Sequence, residues 1–143
     1  LTFHFGGTKI YTTMNESVAD SLLHEQFGIP RLIDVTGIEE IIGFDCKRSF
    51  AMFDSIKDGP DFEVKYTSDI ALKTPNWCNQ FKELDAVLME YELKQYGMRL
   101  KMRANEFKSD PVDEKAFTVE DDYTLVSVAH IVKEFEKVFE SFK

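Results

Sequence analysis

Between Phe44 and Phe53 the chain alternates with a period of two. Phe44, Cys46, Phe50 and Met52 fall on one side of an extended segment, and Asp45, Lys47 and Ser49 on the other. The alternation resumes at Phe62, Val64 and Tyr66, after the turn-forming run Lys57-Asp58-Gly59-Pro60-Asp61. Two such runs joined by a turn must pair as an antiparallel hairpin. That hairpin needs further strands or helices to cover its apolar side, which commits the chain to a sheet.

Other segments supply the rest. Leu1–Phe5 and Thr8–Thr13 flank Gly6-Gly7, a two-residue hairpin signal. Thr13-Met14-Asn15-Glu16 fits a capping box with Thr13 as the cap. It opens a short helix over about 16–27, marked by Val18, Ala19, Leu22, Leu23 and Phe27 and closed by Gly28-Ile29-Pro30. Arg31–Thr36 reads as a strand, while Gly37–Gly43 fits either one helical turn or more strand. Thr74-Pro75 is expected to open a long helix with an apolar stripe of Trp77, Phe81, Leu84, Leu88 and Tyr91. Good helix formers favour its continuation through Met98–Phe107, bent near Gly97. The alternation of Met98, Leu100 and Met102 with Arg99, Lys101 and Arg103 leaves a strand open. Ser109–Asp122 reads as loop. Tyr123–Lys143 reads as the last helix, or as a strand to Ala129 leading into a shorter one. The expected fold is α+β: an N-terminal, mostly antiparallel sheet with one short helix, packed against two longer C-terminal amphipathic helices. A length of 143 residues suits a single compact domain over 1–143.

Thirteen phenylalanines suit an aromatic core. No apolar run reaches the roughly 18–20 residues of a membrane span, and no basic-then-apolar leader is visible before the first strand, which begins at Leu1 rather than Met. The 17 basic and 26 acidic residues give a net charge of −9, unsuited to direct nucleic-acid binding or to docking on anionic membranes. Cys46 and Cys78 are too few for a disulfide framework and are expected as thiols in a reducing, cytoplasmic setting, with a Cys46–Cys78 bridge left open.

No catalytic or cofactor signature emerges. Phe5-Gly6-Gly7-Thr8-Lys9 lacks the glycine spacing of a phosphate loop. Asp54, Asp58, Asp61 and Glu63 lack the alternation of a calcium loop. His4, His24 and His130 lie in separate elements with no metal-ligand spacing, and His24 and Glu25 would diverge on a helix. No catalytic residue, metal or cofactor is therefore expected. Cys78, His24 and His130 are the first positions to test should the chain prove to be a small enzyme with a dispersed site.

Charge is the least random feature. Lys94, Arg99, Lys101 and Arg103 form a block with no acid inside it. Over 106–122, seven acids stand against two lysines, net −5. Glu120, Asp121 and Asp122 could serve as N-terminal charges of the last helix. The functional expectation is a small acidic protein-binding module, of inhibitor, immunity or mimic type. It would occupy a basic surface on a partner through Asp110, Asp113, Glu114, Glu120, Asp121 and Asp122. The alternative is a structural, assembly or chaperone-like protein that self-associates as a homo-oligomer through its amphipathic helices.

Overall fold

The computed structural model describes residues 1–53, 61–95 and 98–141, with the side chains of 23–27, 94, 95 and 98 excluded. Among these residues the fold is mixed α+β, with eight strands in two sheets and two helices. The chain divides into two compact units, 1–18 with 109–143, and 19–108.

In the first unit, β1 (Thr2–Phe5) and β2 (Thr8–Tyr11) pair antiparallel across Gly6 and Gly7, whose φ of 57° and 82° fit the two-residue turn. β8 (Thr124–Leu125) adds parallel to β2, aligning Ile10 with Thr124. The last helix, α2 (Val128–Glu140), is shorter than a helix over 123–143, and β8 ahead of it follows the alternative of a strand leading into a shorter helix. Ser127 caps it, its Oγ accepting from the His130 N–H at 3.2 Å. Glu120, Asp121 and Asp122 therefore lie too far upstream to serve that terminus. Ile131 from α2 packs on Phe3 and Ile10, with Val126, Phe135 and Val138 around them. Phe3 and Phe135 meet edge to face at 5.0 Å.

In the second unit, α1 (Glu16–Phe27), which begins just ahead of the unit boundary, ends at Gly28 with φ 60°. Its cap is Asn15, whose Oδ1 accepts from the Val18 N–H at 2.9 Å, and not the expected Thr13. Five strands follow in sequence order: β3 (Arg31–Ile41), β4 (Phe44–Met52), β5 (Phe62–Thr67), β6 (Val87–Gln95) and β7 (Met98–Arg103), each antiparallel to the next. The ambiguous 37–43 stretch is strand and turn. β3 bulges between Val35 and Ile38, where Gly37 takes φ 106°, and Ile42-Gly43 turns into β4. The 57–61 turn lies mostly outside the described residues, but the β4–β5 pairing it was read to close is present.

The expected face of β4 needs correction, because both sides of this inner strand are used. Cys46 is buried on one side with Ile41 and Met89, and Ser49 and Ala51 are buried on the other, leaving Phe50 exposed. Phe3, Phe62 and Phe81 are buried, but Phe5, Phe107 and Phe117 are exposed, so the phenylalanines are only partly core.

The larger correction concerns 74–95. No helix follows Thr74-Pro75. Thr74 has φ 45°, whereas a helix cap needs an extended backbone, so Pro75 enters a turn. The amides of this segment then bond across the fold. Buried Asn76 donates to the carbonyls of Leu84 (2.7 Å) and Ala86 (2.9 Å), and Gln80 donates to that of Glu92 (3.0 Å). Asn79 Oδ1 accepts from the Phe81 N–H at 2.8 Å. Side chains of this type compete with helical backbone bonding, and here they win. The turns lay Phe81 and Leu84 over Ala51, Phe62, Val64 and Leu88 of the sheet, and Trp77 is left 59% exposed. A helical stripe would have buried Trp77 and Phe81 alike. Phe81→Ala should therefore cost about 3–4 kcal/mol in chemical denaturation, and Trp77→Ala less than about 0.5 kcal/mol.

Candidate functional site

The segment expected to meet a partner is fully on the surface. Every residue from 105 to 122 is exposed, including Asp110, Asp113, Glu114, Glu120, Asp121 and Asp122. A single 3-10 turn at Glu114–Phe117 gives it local order. Asp113 caps that turn by accepting from the Lys115 N–H at 2.9 Å, and Thr118 Oγ1 donates to the Lys115 carbonyl at 2.8 Å. Phe117, at its end, is 80% exposed.

The six acids are not equivalent. Lys9 on β2 brings two of them together, its Nζ lying 2.5 Å from Asp122 and 3.5 Å from Glu120 while sitting 5.4 Å from the Tyr123 ring. The hydrogen bond from Lys9 holds Asp122 below the usual carboxylate range, and the Lys9 ammonium is raised in return. Asp110, Asp113, Glu114 and Asp121 enter no salt bridge among the described residues. They are the uncommitted charge of the segment.

A second charged constellation was not anticipated, because Glu90 and Glu92 were assigned to a helix and helix was favoured over strand for Arg99, Lys101 and Arg103. Register places Glu39, Lys65, Glu90, Glu92, Arg99, Lys101 and Arg103 on one side of the five-stranded sheet. At its centre the Glu90 side chain is only 6% exposed. Lys65 Nζ lies 3.2 Å from Glu90 and 2.7 Å from Glu39, and Lys101 lies 3.1 Å from Glu90. Arg103 pairs with Glu90 and Glu39, and Arg99 with Glu92. A bulge opposite Lys65–Tyr66 inserts Met89 into β6 and sets the phase that turns Glu90 inward. Burial alone would raise the Glu90 carboxyl, but hydrogen bonds from Arg103, Lys101 and Lys65 outweigh it and hold it at about 2. The sequence did carry a signal. Glu90 and Glu92 are followed, past Gly97, by Arg99, Lys101 and Arg103 at the same spacing of two, which is the signature of opposite charges on paired strands.

On the other side of the sheet, Ser49 Oγ donates to Asp34 Oδ1 at 2.9 Å and lies 3.0 Å from the Tyr66 hydroxyl. Ser49 has no accessible surface, so the trio fastens β3, β4 and β5 together and offers no accessible nucleophile. A depression of about 300 Å³ is lined by Pro30, Leu32, Phe81 and Leu84, with Arg31 and Glu83 among its other residues.

Both cysteines are free thiols. Cys46 is buried, which pushes its thiol up, and Cys78 is exposed. His130 is exposed on α2, 3.9 Å from Glu134, and His4 lies on β1; the side chain of His24 lies outside the described residues. Among the described residues no group of three or more His, Cys, Asp or Glu side chains is arranged to hold a metal ion, and no helix is long and apolar enough to cross a membrane. No family model, curated protein or solved structure matches the chain.

The Glu90 cluster makes a pH prediction. Its folded pKa lies below the unfolded value of about 4.3, so its stabilisation is complete above that value and is lost as pH falls towards 2. Glu90→Gln should cost about 3 kcal/mol at neutral pH. Urea titrations between pH 5 and 2 should also show a shallower loss of stability, by close to one proton. A variant with the same acid slope as the parent would contradict this.

Proposed function

We propose that the chain is a small acidic protein-binding module that occupies a basic surface on a partner protein through the segment 110–122. One observation carries the reading. The most acidic stretch of the chain is also the longest run of exposed residues among those described, and four of its carboxylates (Asp110, Asp113, Glu114 and Asp121) enter no ion pair among the described residues. Such charges steer a cationic partner and set the register of docking, and they cost the fold little to keep. The exposed Phe117 beside Asp113 and Glu114 supplies the kind of aromatic anchor that charge alone lacks.

The competing self-association reading rested on two long amphipathic helices. Only the last of these forms, and Ile131, Phe135 and Val138 on it are used within the chain. The dispersed-site reading rested on Cys78, His24 and His130, of which Cys78 and His130 are exposed.

The combined variant Asp110→Asn, Asp113→Asn, Glu114→Gln and Asp121→Asn keeps side-chain shape and the capping capacity at 113. Salt-sensitive recovery of a basic protein in affinity capture should drop roughly tenfold with this variant. Its melting temperature should move by less than about 2 °C. Undiminished recovery would exclude the segment as the docking surface.

A further inference from the structure

A different surface points to a second kind of partner. β7 ends the order of the five-stranded sheet, and Arg99 to Arg103 are all exposed, so nothing among the described residues covers this edge. The Ala104 N–H donates to the Met89 carbonyl at 2.8 Å, continuing the β6–β7 register. Counting back along an antiparallel pair turns the backbone groups of Leu100 and Met102 towards β6. Those of Arg99, Lys101 and Arg103 then face the open edge.

The opposite edge differs. β3 is longer, but the bulge between Val35 and Ile38 and the left-handed Gly37 break its ladder, a standard way to blunt an edge. β7 has no register break against β6.

Side-chain charge says what would fit. Across the charged side of the sheet the sign alternates from the centre outwards: Lys65 on β5, Glu90 and Glu92 on β6, then Arg99, Lys101 and Arg103 on β7. The acids of β6 lie beneath, 6% and 16% exposed, while the three bases are 54%, 62% and 49% exposed. The series ends on cations at the rim of a protein whose net charge is −9. The other side of β7 presents Leu100 and Met102, both exposed. A second copy of β7 paired antiparallel about Lys101 would set Arg99 against Arg103, and like charges directly opposite destabilise a pair. An acidic strand would instead give each base a second carboxylate, as Lys65 already has in Glu39 and Glu90.

We propose that the free edge of β7 receives, by strand addition, an extended segment of another protein that carries acidic residues at alternate positions and apolar residues between them. Main-chain bonds from the Arg99, Lys101 and Arg103 backbone give affinity, and their side chains with Leu100 and Met102 give selectivity.

The test uses the full chain and a fluorescent synthetic peptide of alternating Val and Glu, followed by polarisation and by amide chemical shifts. Binding should perturb the amides of 99–103. It should weaken at least tenfold when Lys replaces Glu in the peptide, and likewise when the peptide backbone is N-methylated at alternate residues. Arg99→Pro removes an edge-facing donor without touching the β6 ladder or the partners of Glu90 and should weaken binding at least tenfold. The double variant Leu100→Gln, Met102→Gln, at exposed positions outside the Glu90 cluster, should weaken binding at least tenfold with the fold's amide spectrum retained. Any of three results would overturn the proposal: no shifts at 99–103, equal binding of the lysine peptide, or self-association of the protein through β7.

Discussion

A carboxylate buried among cations is the constraint on which the larger unit depends. Glu90 is shielded from water and touches Lys65, Lys101 and Arg103, while Lys65 and Arg103 also reach Glu39. A buried charge without its partners costs several kcal/mol, so the arrangement is tolerable only when β3, β5, β6 and β7 all hold their observed register. A slip of one residue in β6 or β7 would bring Tyr91 or Met102 to this side and strand the carboxylate. The bulge at Met89 is part of the same solution, placing an apolar side chain against Ile41 and Cys46 immediately before Glu90.

The same separation of committed from uncommitted polar groups organises the rest. Asn76, Asn79 and Gln80 commit their amides to a run of turns that roofs the other side of the sheet with Phe81. Lys9 commits Glu120 and Asp122 in the smaller unit. Among the described residues, four acids between 110 and 121 enter no salt bridge, and the bases of β7, though paired with Glu90, Glu92 and Glu39, keep about half of their side chains exposed beside an open strand edge. Function is assigned to the acids because they enter no internal ion pair, and to the β7 edge because its outward backbone groups and the exposed part of its bases can take a further partner. The two surfaces ask for chemically opposite partners, a basic one for the acidic segment and an acidic extended one for the edge strand.

Much of this was legible wherever a single local rule decided the outcome. The Gly6-Gly7 turn, the Gly28 stop of α1 and the β4–β5 alternation all follow from backbone preference or strict periodicity. Legibility failed where distant partners decided. Trp77, Phe81, Leu84, Leu88 and Tyr91 satisfy a helical period, but the first three lie in turns and the last two on β6. Asn76 and Gln80 find their acceptors eight to twelve residues on, which a local pattern cannot reveal. Lys101 and Arg103 are good helix formers, yet they sit in a strand because Glu90 needs them opposite. The acidic segment was legible as loop from Pro111 and its scarcity of apolar residues, but the pairing of Asp122 with Lys9 was not.

Amide hydrogen exchange across 87–103 tests the central claim most directly, since the claim is that a buried carboxylate fixes a hairpin whose outer strand is open. The alternation of β7 predicts slow exchange at Leu100 and Met102 and fast exchange at Lys101 and Arg103, with slow exchange at Tyr91 and Leu93 across the pair. Glu90→Gln should speed exchange at all the slow positions together. Continuous protection from residue to residue through 98–103, as a helix or a covered edge would give, would contradict the account.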